Sequence, residues 1–156
     1  DAGGPHAWNY VNLDGEDYWM DVTWDDYDRR NDDGSMAYPE GVDYPYFCIT
    51  TNDLVKTHQP EDTFMIPECT ATEYNYFYRE ECYLSSYNFE EFSRIVETQK
   101  DEQVMSVKFS SAQEAQNAVN DLFYNYKYTE LPYISEKQFV YMQDDRHNIL
   151  TFLVDN

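Results

Sequence analysis

A histidine and an aspartate, His6 and Asp21, are the residues of this chain whose types and spacing could do chemistry together. An imidazole beside a carboxylate is fixed in one tautomer, and the carboxylate stabilises the imidazolium that forms on protonation. Such a pair supplies two of the three members of a nucleophilic triad. We therefore predict His6 and Asp21 as catalytic residues, provided that the fold brings them together.

The segment between them predicts a β-hairpin that does so. Asp14 and Gly15 separate two runs rich in aromatic and β-branched residues, which is a strong signal of a type I′ turn. With this turn as the loop, Trp8 lies opposite Asp21. His6 is then the diagonal neighbour of Asp21, roughly 7 Å away between Cα atoms. Side chains alternate with a period of two, so these three share one face. A half-exposed hairpin with an incidental polar pair fits the same pattern.

The string from residue 6 to residue 26, HAWNYVNLDGEDYWMDVTWDD, resembles the His-to-Asp half of the bacterial transglutaminase-like (transglutaminase-core) superfamily. The matching pieces are HAWN, the Asp14-Gly15 turn and DVTWDD. The resemblance implies a Cys-His-Asp triad like that of papain-like cysteine peptidases, with His6 and Asp21 as its histidine and aspartate. It further implies acyl transfer on a protein or peptide substrate, by a bacterial protein that is secreted or on the cell surface.

The cysteine of that family lies upstream of the histidine, at the start of a helix, and only DAGGP precedes His6. We therefore expect the chain to be the C-terminal half of such a domain, with the cysteine segment elsewhere. An open strand edge invites pairing. We expect a second copy of the chain, or a separate cysteine-bearing fragment, to cover that edge.

The chain's own three cysteines are poor candidates for the nucleophile. Cys48 lies in an apolar run and is predicted to be a buried thiol. Cys69 lies in a turn-like stretch, and the acidic residues before Cys82 raise its pKa. A disulfide between Cys69 and Cys82 stays open for an exported protein. There is no CxxC pair, which argues against a zinc site, and we expect no metal and no cofactor.

Composition excludes two classes of partner. With 31 acidic and 10 basic residues, the chain has a formal charge of −21, which repels phosphate backbones and anionic membranes. We therefore expect no nucleic-acid partner. No apolar run approaches the roughly 20 residues of a membrane span. Aromatic residues make up 18% of the chain, which suits β-rich structure rather than a disordered acidic tail.

The pattern along the chain predicts an α+β fold with two regions. Residues 1–72 form a β-rich partial transglutaminase-like core, interrupted by a polar loop over 27–35. Residues 73–156 form a small α+β subdomain of strand, helix, strand, helix and hairpin, with its helices on one sheet face. The predicted elements are a short helix over 51–58, a strand over 74–78, helices over 88–98 and 111–124 that begin with capping boxes, and strands over 104–109, 139–142 and 149–154.

Four further side chains have expected roles. Trp8 and Trp24 are predicted to line the substrate site, although both also fit a hydrophobic core. His58 is predicted to be structural rather than catalytic, because nothing near it in the sequence forms a second triad. His147 lies in the loop of the last hairpin and is predicted to be solvated.

Two functions follow from these patterns. In the first, the chain is the His/Asp-bearing part of a cysteine-dependent peptidase, amidase or transamidase, and it is inactive by itself. In the second, it is a non-catalytic binding or scaffold module, on the cell surface or secreted, that keeps the hairpin for packing. A cysteine at a helix start in the reading frame upstream of Asp1 would favour the first function.

Overall fold

The computed structural model of the chain describes residues 6–26, 43–61 and 65–155. The polar loop predicted over 27–35 lies outside these residues. The elements combine helices with antiparallel and mixed sheets, so the predicted α+β class is confirmed. In chain order they are β1 Asn9–Leu13, β2 Glu16–Met20, α1 Val22–Asp25, α2 Thr51–Leu54, α3 Tyr76–Arg79, β3 Tyr83–Leu84, α4 Phe89–Thr98, β4 Val104–Phe109, α5 Ala112–Val119, α6 Pro132–Ser135, β5 Phe139–Asp144 and β6 Ile149–Val154.

The first hairpin has the predicted turn and the predicted register. Strands β1 and β2 are antiparallel, with Leu13 paired with Glu16 at the turn. Asp14 and Gly15 both have positive φ, 52° and 92°, which a type I′ turn requires at its two central positions. The side-chain oxygen of Asn12 accepts a hydrogen bond from the amide of Gly15 at 3.3 Å. The predicted register is confirmed, and it determines which side chains of β1 and β2 share a face.

The hairpin packs against the segment that follows residue 43. Trp19 of β2 bridges to Ile49, with backbone hydrogen bonds of 3.0 and 2.9 Å in the two directions. Thr50 caps α2 by accepting a hydrogen bond from the amide of Asp53, as the short helix predicted over 51–58 requires. A hydrophobic cluster joins these pieces, and its buried members are Trp19, Tyr46, Ile49, Leu54 and Cys69.

The second sheet has four strands in the order β3-β4-β6-β5. The β3–β4 pair is parallel and the other two pairs are antiparallel. Helices α4 and α5 contact β4 and bury their apolar stripes in one core with the sheet. Both predicted N-caps are present, since Asn88 accepts from the amide of Glu91 and Ser111 accepts from the amide of Glu114. The helix predicted over 111–124 ends at Val119 and continues as a π-helical turn, Asn120–Tyr124.

The strand predicted over 74–78 is wrong. This stretch is part of a helical turn, α3, in which Asn75 caps the amide of Phe77 and Phe77 is buried in the main core. Tyr76 stacks on Tyr44 with 4.0 Å between ring centroids. Aromatic residues favour strands mainly through packing, and here packing on both sides favours a helical turn. The strand that pairs with β4 lies a few residues later, at Tyr83–Leu84.

The face of the second sheet away from α4 and α5 meets the N-terminal region. All six residues of β6 are buried, so both faces of this strand are covered. Lys108 of β4 reaches across to the carboxylate of Asp53 at 3.4 Å, and the ring of Tyr46 lies 4.9 Å from that of His147. The described helices include none that is long and apolar enough to cross a membrane. The division of the chain near residue 72 stays a prediction.

Candidate functional site

Asp21 stands at the junction between β2 and α1 and is buried. Its Oδ1 atom caps the helix by accepting hydrogen bonds from the amides of Thr23 and Trp24, at 3.1 and 3.2 Å. Its own amide donates to the carbonyl of Tyr46 at 3.3 Å. The strand-to-helix turn therefore holds one carboxylate oxygen in place and leaves Oδ2 for other partners.

His6 is one of those partners. Its Nε2 atom lies 2.5 Å from Oδ2 of Asp21, and its ring stacks on Trp24 with 5.2 Å between centroids. The His6 side chain is 26% exposed, against 1% for that of Asp21. No described residue hydrogen-bonds Nδ1 of His6. The structure therefore brings the predicted pair together, and the second imidazole nitrogen is available for chemistry.

His58 is the second partner, and sequence reasoning missed it. Its Nε2 atom lies 2.8 Å from the same Oδ2 of Asp21, and its Nδ1 lies 2.9 Å from Oγ1 of Thr57. The prediction that His58 is structural rather than catalytic considered only its neighbours in sequence, and this contact with Asp21 comes from a distant part of the chain. The amide of His58 donates a hydrogen bond to the carbonyl of Leu54, which extends the turn at the end of α2 toward the hairpin. No local signal gives this contact, because the two residues lie 37 positions apart.

Three aromatic rings enclose His58. Their centroids lie 4.9 Å (Trp8), 4.5 Å (Trp24) and 5.2 Å (Tyr46) from the imidazole. Trp24 is 43% exposed, whereas His58 is 5% exposed. The two tryptophans predicted to line a substrate site thus differ in position. Trp8 packs against the hydrophobic cluster and His58, whereas Trp24 is exposed and stacks on the His6 ring.

The carboxylate at the centre of this group is ionised. Burial raises the pKa of Asp21, but hydrogen bonds from His58 and His6, with those from the start of α1, outweigh it and hold the pKa below its usual range. Because both imidazole Nε2 atoms lie at hydrogen-bond distance from an ionised oxygen, both must carry a proton and donate it. The site thus contains a fixed anion with two imidazole donors.

Asp25, one helical turn further on, has the opposite protonation. It is 3% exposed, and its Oδ1 accepts a hydrogen bond from the amide of Tyr46 at 2.8 Å. Burial raises its pKa to about 8, and the negative charges of Asp43 and Asp21 add to the rise. Because Asp25 is neutral, the negative charge near Asp21 is smaller than two ionised carboxylates would give.

His6, Asp21 and His58 could also hold a metal ion. One ligand atom from each residue lies within 4.8 Å of the others. Imidazole nitrogens and a carboxylate oxygen are ligands that zinc and iron accept. Cysteine spacing gives no indication of this group of two histidines and one aspartate, because the group contains no cysteine.

The three cysteines do not contribute a reactive thiol. Cys48, Cys69 and Cys82 are all buried and free, so the disulfide left open between the last two is absent. Burial raises the pKa of Cys48 and of Cys82 to about 11 in each case, and it also raises the pKa of Cys69. A thiol with a raised pKa is a poor nucleophile at neutral pH because little thiolate is present.

His147 is buried, so the prediction that it is solvated is wrong. The carboxylate of Asp144 accepts hydrogen bonds from the amides of Arg146 and His147, which folds the loop back. Nδ1 of His147 lies 2.6 Å from Oδ2 of Asp144, and Nε2 has no hydrogen-bond partner among the described residues. The imidazole of this second histidine–carboxylate pair contacts the ring of Tyr46, which also contacts His58.

A cleft of about 390 Å³ begins at Trp24. One wall comes from the N-terminal region, with Trp24, Tyr46 and Thr57, and the other comes from the β5–β6 hairpin, with Met142 and Thr151. Trp24 also stacks on His6, so one residue of the cleft lining contacts the histidine–aspartate pair, although neither His6 nor Asp21 lines the cleft. The site therefore has an adjoining space in which part of a substrate could lie.

Two comparisons of the sequence with known proteins found no match. The chain matches no family model, and no curated protein matches it in sequence.

The raised pKa of Asp25 predicts a pH dependence of stability. The folded chain keeps a proton on Asp25 up to about pH 8, whereas the unfolded chain releases it near its ordinary pKa of 3.8. Stability from this group is therefore complete below that lower value and is lost as pH rises toward 8, with a slope of up to about 1.4 kcal/mol per pH unit. Asp25→Asn keeps an oxygen for the amide of Tyr46 and should remove this slope.

The measurement is the free energy of unfolding by denaturant from pH 5 to pH 9. Asp25→Asn should be more stable than the wild type at pH 9, and the gap should shrink toward pH 5. Asp26→Asn, at an exposed neighbour, is the matched control and should follow the wild type. Parallel curves for all three proteins would contradict the raised pKa.

Burial of the cysteines predicts slow thiol chemistry. In the native chain at pH 7.5, a disulfide reagent such as DTNB should modify none of the three thiols within minutes, and all three should react in guanidinium. Ser86→Cys places a thiol at an exposed position and should react at once, as a positive control. Rapid modification of Cys48, Cys69 or Cys82 in the native wild type would identify a nucleophile within the chain.

Proposed function

We propose that this chain carries the histidine–aspartate part of a cysteine-dependent acyl-transfer site. The observation that carries the proposal is the 2.5 Å contact between Nε2 of His6 and the buried Oδ2 of Asp21, with the His6 ring partly exposed. A carboxylate bound to one imidazole nitrogen makes the other nitrogen the base. In this arrangement Nδ1 of His6 is the atom that exchanges protons with the nucleophile and the leaving group.

The reaction has two halves. In the first, a cysteine thiol gives its proton to Nδ1 of His6, and the thiolate attacks an amide carbonyl. The carbon–sulfur bond forms, the carbon–nitrogen bond breaks, and His6 returns the proton to the departing amine. In the second, His6 takes a proton from water or from an acceptor amine as this attacks the thioester. The new carbon–oxygen or carbon–nitrogen bond forms, the carbon–sulfur bond breaks, and His6 returns the proton to the departing sulfur. Asp21 stays ionised throughout and stabilises the imidazolium.

The nucleophile in this proposal comes from outside these 156 residues. Support comes from Cys48, Cys69 and Cys82, which are buried and have raised pKa values. A further segment of the same polypeptide or a separate cysteine-bearing fragment would bring the thiol to His6. The chain by itself is then inactive toward peptide substrates.

The substrate in this proposal is a protein or peptide that lies in the cleft beside Trp24. The exposed indole of Trp24 lines this cleft together with Tyr46 and Met142, and it also stacks on the His6 ring. Trp8 serves as packing for His58 instead. Secretion or display on a bacterial surface belongs to the same proposal and rests on the resemblance of residues 6–26.

The alternative proposal is a binding or scaffold module without turnover. In that case the His6–Asp21 pair would serve packing alone, and the cleft would bind a partner without changing it. The aromatic enclosure of His58 is compatible with such a role. The partial exposure of His6 favours the catalytic proposal, because an imidazole that exchanges protons with a substrate must be accessible, whereas a purely structural pair has no such requirement.

Loss of either member of the pair should abolish acyl transfer. In the protein as its complete reading frame encodes it, His6→Asn and Asp21→Asn should each lower kcat/KM by about a thousandfold or more, because the base is lost or has the wrong tautomer. The assay is hydrolysis of a peptide mixture, or incorporation of a fluorescent primary amine, and it should be sensitive to iodoacetamide.

Asp121→Asn is the matched control for Asp21→Asn. Asp121 also accepts a side-chain hydrogen bond, from Tyr87 at 2.9 Å, but it lies outside the site, and its variant should keep wild-type kinetics. Turnover that survives in His6→Asn would overturn the catalytic proposal. Complete absence of turnover in the wild type, with peptide binding retained, would favour the scaffold module.

Trp24 should contribute more to binding than to chemistry. Replacing the indole with a smaller flat ring, Trp24→Phe, should change KM by less than about threefold, whereas Trp24→Ala should raise it about tenfold, equivalent to about 1.4 kcal/mol. Both effects are measured on the same peptide substrate. A fall in kcat with unchanged KM in Trp24→Ala would instead assign the ring to orienting His6.

A further inference from the structure

We propose that His58 is a positioning residue for His6, acting through the carboxylate that they share. It shares Oδ2 of Asp21 with His6, fixes the carboxylate, and so decides how His6 presents Nδ1. The inference rests on the proposed function for the reaction that His6 serves. The arrangement itself can be tested without any turnover.

The hydrogen bonds of Asp21 show why His58 matters to its orientation. Oδ1 accepts from two backbone amides at the start of α1, those of Thr23 and Trp24. Oδ2 accepts from His6 and from His58, at 2.5 and 2.8 Å. A carboxylate has about four acceptor sites, so all of them are occupied. Rotation of Asp21 would break several of these bonds at once in a buried site.

The contacts of His58 place a ring proton on Nε2, the atom that faces the ionised carboxylate of Asp21. Its side chain is 1% exposed, so water does not compete for that proton. The hydroxyl of Thr57 lies 2.9 Å from Nδ1 and 3.4 Å from the carbonyl of Leu54, and it also hydrogen-bonds the side chain of Tyr46. The other titratable groups that face this pocket are His6, Asp25 and Tyr46.

Sharing Oδ2 between two imidazoles weakens the hydrogen bond that the carboxylate of Asp21 makes with His6. An oxygen that accepts two N–H groups stabilises each of them less than an oxygen with one donor. His58 therefore moderates the attraction between Asp21 and the His6 imidazolium while keeping the geometry rigid. Without the second donor, His6 would hold its proton more tightly and give it less readily to a leaving amine.

A metal ion on these residues would produce a different proton pattern. If Nε2 of His6 and of His58 were ligands, their protons would have to lie on Nδ1. In the hydrogen-bonded arrangement, both protons lie on Nε2. The position of the proton on each ring therefore separates the two arrangements.

The first test is NMR of the chain labelled with nitrogen-15 in its histidine rings. The chain has three histidines, and single variants assign their signals. Near neutral pH, after treatment with EDTA, His58 should carry its proton on Nε2, as should the neutral form of His6. His147 should carry its proton on Nδ1, which faces Asp144. A proton on Nδ1 of His58, with Nε2 bare, would overturn the proposal. A change to Nδ1 protons on His6 and His58 when zinc is added at equimolar concentration would assign the site to metal binding instead.

The second test compares two replacements of similar length. His58→Gln keeps an N–H donor near the position of Nε2, whereas His58→Met removes it. The protonation midpoint of His6, followed by NMR, should rise by about half a pH unit or more in His58→Met and stay near the wild type in His58→Gln. His147→Met removes the other buried imidazole beside Tyr46, and it should leave the midpoint of His6 unchanged.

The outcomes separate this inference from the proposed function. Equal midpoints in His58→Met and His58→Gln, with both variants folded, would reduce His58 to packing. If both variants unfold, the proton positions in the wild type still decide the matter. In an active protein, His58→Met should shift the pH profile of kcat/KM and His58→Gln should restore it. Turnover that survives His6→Asn would overturn the acyl-transfer role, while the NMR results would still test the shared carboxylate.

Discussion

The carboxylate of Asp21 is the group on which the candidate site depends. One oxygen caps the short helix that follows β2, and the other accepts hydrogen bonds from His6 and His58. Burial alone would make the charge of Asp21 unfavourable, and these bonds reverse the effect so that its pKa lies below the usual range. A local backbone feature, a helix cap, thus also supplies the anion that holds two imidazoles.

The residues around Asp21 hold it in place and keep a second negative charge away from it. The amide of Tyr46 donates a hydrogen bond to Asp25, and its carbonyl accepts one from the amide of Asp21. Its ring contacts both His58 and His147. The segment around residue 46 therefore ties the hairpin to the second sheet. Asp25 stays protonated near neutral pH, since its pKa is raised to about 8, and this avoids a second buried charge beside Asp21.

Much of the local structure could be predicted because local rules decide it. The Asp14-Gly15 turn set the register of the first hairpin, and the caps at Asn88 and Ser111 marked two helix starts. The stretch over 74–78 was mispredicted because aromatic residues take the conformation that packing favours, and the sequence does not show what they pack against. His147 was mispredicted for a similar reason, since the Asp144 carboxylate folds its loop inward.

The sequence by itself determined the adjacency of His6 and Asp21, because strand alternation and a two-residue turn leave one face for both. Only the tertiary structure decided that His58 joins them, since it comes from another element and no periodic pattern links the two. The burial of Cys69 and Cys82 and the cleft beside Trp24 were likewise decided by packing between distant segments, whereas the apolar run around Cys48 already predicts its burial. Contacts within a hairpin follow from backbone geometry, whereas contacts between elements depend on which surfaces exclude water together.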